Sequence, residues 1–188
     1  RVYCTTAFQV PQKGEKLKLK IWRDNKEVDV AVPMEVRDDD LNIGNLYDAP
    51  PRYFVFAGLV FTPLTLDYVK TFGRNWRGVA NSEMIYELYY RRNETPAKVR
   101  KEPVVLASTL AHPVNADMRL ASRAMVDTIN GKRIETLEDV IAAFEENTKP
   151  QHMIQFISGT VECLDSTQAE LANPEILSTY GIQTDRRL

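Results

Sequence analysis

Ser108, His112 and Asp117 lie close together in the chain and are the residue types of a hydrolytic triad: a hydroxyl nucleophile, an imidazole base and an orienting carboxylate. The framing that a nucleophilic serine needs is missing. No Gly-x-Ser-x-Gly elbow occurs, and no serine is set among glycines in the trypsin-like manner. The only other histidine is His152. His112-Pro113 reads as the start of a turn after a strand ending near Leu110, and His152 reads as the exposed edge of the strand that follows it. No catalytic residue is expected in this chain.

Other chemistries are equally thin. Asp38-Asp39-Asp40 could touch calcium, but it lacks the alternating ligands and the glycine of an EF-hand loop, so it reads as a solvated run. Glu145-Glu146 sits at a helix end and the two carboxylates point different ways. The eight glycines are scattered singly, so no phosphate cradle forms at a helix start. Cys4 and Cys163 are far apart with no C-x-x-C pattern; they read as two free thiols, with a disulfide left open. No metal and no cofactor is expected. The formal net charge of -2 gives no basic footprint, so nucleic acid is not an expected partner. Lys16, Lys18 and Lys20 alternate with leucines, as on one face of a strand. The longest apolar run, residues 53–60, is far below the roughly 18 to 20 residues that cross a bilayer. The opening Arg1-Val2-Tyr3 has no initiator Met and reads as a cut inside a longer protein, so a targeting segment could have preceded it.

One constellation carries binding chemistry. Phe56-Ala57-Gly58-Leu59 sets a glycine in an apolar bend that opens a strand. Such a bend can turn backbone N–H groups outward into a nest for a carboxylate. The strand behind it, Leu59-Val60-Phe61, could pair with an extended peptide. Leu137, Ile141 and Phe144, one stripe of a helix, could form the other groove wall. The mode would be strand addition with capture of a terminal carboxylate. The same residues also read, more plainly, as a bent core strand and a core helix.

The elements that must position these residues are legible from periodicity. Leu17, Leu19 and Ile21, then Val28, Val30 and Val32, alternate with polar residues on both sides of Arg23-Asp24-Asn25-Lys26, which predicts a hairpin with one apolar face, ended by Pro33. Residues 35–52, with the aspartate run and Pro50-Pro51, read as a linker. Residues 53–61 read as strand, bend at Gly58, strand, closed by Pro63. Residues 66–90 predict helix in two parts, broken near Gly73 and Gly78; residues 91–102 predict a surface loop. Short strands follow at 104–107 and 125–129, the second ending in the Asn130-Gly131 turn. Thr136 with Asp139 signals a helix start, and Leu137, Val140, Ile141 and Phe144 give it one apolar stripe. Asn147 and Pro150 stop it. Residues 153–157 and 160–164 predict a closing hairpin around Ser158-Gly159. Residues 166–180 predict a helix containing Pro174, fraying into Thr184-Asp185-Arg186-Arg187.

The order of these motifs resembles the PDZ domains of Deg/HtrA-type (Do-like) serine proteases. The resemblance rests on the apolar-Ala-Gly-Leu bend and its strand, on Met125-Val126-Asp127-Thr128-Ile129-Asn130-Gly131-Lys132, and on the helix and closing hairpin behind them. Residues 53–64 and the ending Tyr180-Gly181-Ile182 with Asp185-Arg186 are similar to the second PDZ domain of plant-type Deg proteases and bacterial relatives. Gly14-Glu15-Lys16 with residues 21–26 is similar to the last two strands of a preceding PDZ domain. The resemblance implies an α+β chain, a PDZ-like partly open β-barrel or sandwich with a groove helix, a helical insertion and a C-terminal helix. It divides the chain into the end of a first PDZ domain (1–36), a linker (37–52), a PDZ-like domain (53–165) with an insertion at about 66–102 that could cover the groove, and a helical tail (166–188).

The resemblance also implies a function. This would be the regulatory, non-catalytic PDZ portion of a serine endopeptidase, binding peptide or unfolded-protein C-termini. An upstream protease domain and other copies of the chain would be its partners. The candidate peptide-binding residues are Phe56, Ala57, Gly58, Leu59, Val60, Phe61, Leu137, Ile141 and Phe144. The alternative is an oligomer-assembly module whose groove is filled by its own insertion or by a neighbouring subunit. The compartment would follow the host: periplasmic in a bacterium, organellar or nuclear in a plant.

Overall fold

The computed structural model describes residues 12, 14–34, 44, 46, 47, 49–119 and 123–188. The aspartate run 38–40 and Cys4 therefore lie outside the described residues. The chain divides into two compact units, Arg1–Asp40 and Leu41–Leu188.

Among its described residues the first unit holds an antiparallel hairpin, β1 (Lys16–Arg23) and β2 (Lys26–Pro33). The register pairs Leu17 with Val32, Leu19 with Val30 and Ile21 with Val28, so the six apolar side chains share one face, as their period of two predicts. Asp24 and Asn25 take φ of 54° and 59°, the left-handed pair that a two-residue turn of matching twist requires. Met34 extends the ladder by two more bonds, accepting from Gly14 N at 2.9 Å and donating to Glu15 O at 2.8 Å. Trp22, near the turn, is 69% exposed.

The second unit is built on a sheet of order β10-β3-β4-β5-β6-β8-β9, with β7 on β6 and every pairing antiparallel. Its strands are β3 (Tyr53–Phe56), β4 (Leu59–Pro63), β5 (Val104–Thr109), β6 (Ala124–Ile129), β7 (Lys132–Arg133), β8 (Gln151–Phe156), β9 (Val161–Asp165) and β10 (Arg186–Arg187). The path runs from β10 to β9 without returning on itself, so the sheet is not closed into a barrel. The helices are α1 (Leu66–Lys70), α2 (Trp76–Val79), α3 (Ser82–Tyr89), α4 (Arg91–Glu94), α5 (Leu137–Glu145) and α6 (Ser166–Thr179). This is the mixed α+β architecture expected.

Alternation along the central strands sends neighbours to opposite faces. On β5, Val104 and Leu106 enter one core and Val105 the other; on β6, Val126 enters the first and Met125 the second. The first core is closed by α5 through Leu137, Val140, Ile141 and Phe144. The second is closed by the insertion between β4 and β5, through Val69, Trp76, Met84 and Leu88. The insertion thus covers the face opposite α5. The expectation that it could cover the groove beside α5 is corrected.

Local signals explain the helices. Thr65 caps α1, accepting from Tyr68 N at 3.1 Å, and Asn81 caps α3, accepting from Glu83 N at 2.9 Å. At α5, Thr136 Oγ1 accepts from Asp139 N at 3.3 Å while Asp139 Oδ2 accepts from Thr136 N at 3.1 Å, the reciprocal box read from the sequence. Gly73 breaks the first helical stretch as expected, but Gly78 lies inside α2. Residues 91–102 are not a plain surface loop. They hold α4 and a 3-10 turn, Pro96–Lys98, because Arg91 Nε donates to Glu87 Oε2 at 2.7 Å and ties α4 back onto α3.

Two further expectations fail for a shared reason. His152 is not at an exposed edge; it is 0% exposed, because it shares inward parity with Ile154 and Phe156 on β8. The tail at 184–187 does not fray; it adds β10 to the outer side of β3. Each outcome depends on partners distant in sequence.

Candidate functional site

The bend between β3 and β4 is a two-residue turn. Phe56 pairs with Leu59, and both central residues are left-handed, Ala57 at φ 48° and Gly58 at φ 83°. Ala57 adopts this conformation despite its Cβ, at a strain of roughly 1 to 2 kcal/mol. Its surroundings hold it there. Asn115 Nδ2 donates to Ala57 O at 2.9 Å and to Leu110 O at 2.8 Å, and Leu110 N donates to Gly58 O at 2.7 Å. From the other side Ala57 N donates to Asn173 Oδ1 on α6 at 2.9 Å.

Asn115, 5% exposed, is itself fixed by the 3-10 turn Pro113–Asn115, where His112 N donates to Asn115 Oδ1 at 3.1 Å and Val114 N donates to His112 Nδ1 at 3.2 Å. Gly58 is required twice over. Its φ is positive, and a Cβ there would stand 2.5 Å from both Asn115 Nδ2 and Leu110 O.

The strand behind the turn is interior. Leu59 lies between Phe56 and Thr109, Val60 between Val55 and Ser108, and Phe61 between Phe54 and Leu106. Strand addition needs an unpaired edge, and residues 59–61 have a partner strand on both sides. The open edge expected at 59–61 is therefore corrected. Of the expected outward nest, the Ala57 N–H is spent on Asn173.

The fold does bring the candidate side chains together. Ala57, Leu59, Phe61, Leu137, Ile141 and Phe144 share one buried cluster, and Phe56 packs on it. Val60 alternates out of the cluster and is half-buried. Phe144 is the hub: its ring centroid lies 4.6 Å from Phe56, 5.7 Å from Phe61 and 6.1 Å from Phe54. The position beside β4 and against α5, where a bound peptide strand would lie, is filled by β3. Concavities of about 200 and 190 Å³ lie elsewhere, the first lined by Arg91, Lys98, Arg100, Asp127 and Arg133, the second by Asn130, Lys132 and Asn147.

His152 belongs to the same cluster, and sequence reasoning missed it. Its ring meets Phe144 and Phe56 edge-on, with centroids at 5.0 and 5.2 Å. Nδ1 lies 3.2 Å from Asn130 Nδ2 and 3.1 Å from Asn147 Nδ2, so those amides donate to it and the proton sits on Nε2, which is buried and has no partner among the described residues. Burial pushes its pKa down, offset in part by Glu170. Strand parity with Ile154 and Phe156 was the signal that could have found it.

The remaining chemistry-bearing residues do not converge. Ser108 lies exposed on β5, and His112 directs Nδ1 at the backbone of Val114; no hydrogen bond joins the two among the described residues. Among the described residues no three His, Cys, Asp or Glu group as a metal site, and no helix is long and apolar enough to cross a membrane. Cys163 is a free, exposed thiol.

Comparison with known proteins agrees with this architecture. The PDZ-domain family profile matches residues 21–187. Among curated relatives, "Putative protease Do-like 11, mitochondrial" of Arabidopsis thaliana is 22% identical over 184 residues, covering 98% of this chain and 28% of the relative. "Protease Do-like 4, mitochondrial" of the same plant is 26% identical over 168 residues, covering 89% of this chain and 29% of the relative. The chain thus spans under a third of the length of these relatives. With the profile running over nearly all of an α+β chain whose α5 lies against the β3–β4 hairpin, the chain belongs to the PDZ-domain family.

Proposed function

We propose that this chain is the regulatory, non-catalytic PDZ portion of a Do-like serine protease, and that it serves assembly and positioning rather than capture of chain ends at the β4 edge. Likeness to Do-like proteases along nearly the whole chain supports the parentage. PDZ membership supports a regulatory module of the peptide-binding class. The observation that carries the assembly reading is the occupancy of β4: β3 pairs along it on one side and β5 on the other. Phe56, Ala57, Leu59, Phe61, Leu137, Ile141 and Phe144 then act as the rigid packing that presents outer surfaces to other copies or to the protease domain.

The domain plan follows the same reading. Residues 1–36 close a preceding PDZ domain, 37–52 connect, 53–165 form the second domain and 166–188 its tail. The apolar face of β1–β2, Leu17, Leu19, Ile21, Val28, Val30 and Val32, supports this, because a lone two-stranded hairpin is marginal in water and needs a layer to pack on.

Sedimentation over a concentration series, with parallel titrations of C-terminal apolar peptides and their amidated forms, tests the proposal. Concentration-dependent self-association is expected, without amidation-sensitive peptide binding. A strictly monomeric chain that loses peptide affinity on amidation would overturn it.

A further inference from the structure

The outer side of β3, away from β4, is held by a segment of the chain itself. Val55 N donates to Asp185 O at 2.7 Å, Phe54 pairs with Arg186 and Tyr53 with Arg187. Tyr53 OH adds a bond to Thr184 O at 3.1 Å. The side chains of that segment are read by groups on the body of the domain. The Arg186 guanidinium lies 5.2 Å from the Phe54 ring centroid and donates to Glu145 Oε1, at the end of α5, at 2.8 Å. The Arg187 guanidinium lies 5.4 Å from the Tyr53 ring centroid. A backbone edge, two aromatic faces and one carboxylate therefore meet two consecutive arginines.

The hold is short. β10 has two residues, and it follows Gly181 in a left-handed turn (φ 67°) after α6. Side-chain exposure of 57% at Glu145 and 36% at Arg186 leaves their pair in solvent, where such bonds contribute little. Asp185 completes the pairing of Arg186 from within the segment, at 2.8 Å, so the segment carries part of its own charge balance. Nothing in this arrangement requires the arginine-bearing strand to be joined through α6; the recognising groups, Tyr53, Phe54, Val55 and Glu145, all stand on the body.

We propose that residues 53–55 with Glu145 form a strand-docking site for an extended peptide segment bearing two consecutive arginines, and that residues 184–187 are the resident occupant that such a segment displaces. The mode is strand addition with a guanidinium read by a carboxylate and an aromatic face. It goes beyond the assembly reading and uses a different edge.

The test uses a chain ending at Ile182 and a fluorescent peptide of residues 183–188 with an amidated end, so that no terminal carboxylate takes part. Circular dichroism checks that the shortened chain is folded. Fluorescence anisotropy should show saturable binding to it, about tenfold weaker binding to the full chain, a further loss of about tenfold when the peptide carries Arg186→Ala, and a loss of about twofold to threefold when the shortened chain carries Glu145→Gln. Should the shortened chain not fold, the full chain with Arg186→Ala serves, and it should take up the peptide better than the unmodified chain. No binding to a folded shortened chain, or equal binding of the Arg186→Ala peptide, overturns the proposal. Because the assembly reading is tested by sedimentation, either can fail without the other.

Discussion

Two hairpins in this chain are built by the same local device and meet different ends. β1–β2 and β3–β4 both turn through two left-handed residues, Asp24-Asn25 in one and Ala57-Gly58 in the other. In β1–β2 the turn residues are ones that tolerate this conformation by themselves, and the strands keep mostly exposed or half-exposed side chains. In β3–β4 the first turn residue is an alanine, which does not favour it. It is held by Asn115 from the β5–β6 connection and Asn173 from α6, with Leu110 fixing Gly58 beside it, and the strands contribute Phe54, Leu59 and Phe61 to a closed core. The first hairpin is specified by its own sequence, the second by its neighbours. A turn that looks like a ligand nest in sequence has become an internal joint.

The largest effect that would break the comparison comes from Phe144→Ala. Phe144 is 3% exposed and touches three phenylalanines of β3 and β4, so its loss should cost about 3 to 5 kcal/mol in thermal or denaturant unfolding. Ile21→Ala in the half-exposed face of β1–β2 should cost under about 1 kcal/mol, read from hydrogen exchange of the hairpin amides. Equal costs would mean that the first hairpin has a core after all.

Gly58→Ala comes next, at roughly 3 kcal/mol, because it adds left-handed strain to a 2.5 Å approach to Asn115 Nδ2 and Leu110 O. A melting temperature unchanged by Gly58→Ala would show that the joint is not tight. Asn115→Ala should then cost about 1 to 3 kcal/mol by stranding the carbonyls of Ala57 and Leu110. Asn25→Gly, at the corresponding place in β1–β2, should stay within about 0.5 kcal/mol, since glycine accepts φ of 59° freely.

The smallest effect sharpens the comparison through pH. The native state holds His152 neutral, with its pKa lowered by burial, while the unfolded chain takes up a proton near the ordinary value of about 6.5. The unfolded state therefore binds more protons just below that value, and stability is lost as pH falls from about 6.5 toward the lower native pKa. Melting between pH 8 and 5.5 should show this slope for the unmodified chain and a shallower one for His152→Phe. Identical slopes would mean that the imidazole is not held neutral beside Phe56 and Phe144.

Much of the fold was legible because it follows from nearest neighbours along the chain. Period two located β1 and β2, the Asn130-Gly131 pair gave the turn after β6, with φ of 54° and 85°, and Thr136 with Asp139 gave the start of α5. The members of the candidate site were legible as a group too, since an apolar stripe and an apolar strand must meet somewhere. Their state was not. Whether residues 59–61 are an edge depends on β3 folding back through a strained alanine, and that needs Asn115 and Asn173, 58 and 116 residues away. His152 was misplaced because the strand was read from residue 153, whereas it starts at Gln151 and gives His152 the inward parity of Ile154 and Phe156.

By itself the sequence determined most of the strands and helices, their order, the apolar faces and the absence of a framed nucleophile, since each depends on residue type and short spacing. Only the tertiary structure decided which strand lies beside β4, which face the insertion covers and where the two arginines near the end of the chain dock. Those outcomes are choices among pairings similar in local cost, and the winner is set by contacts that form only once distant segments meet.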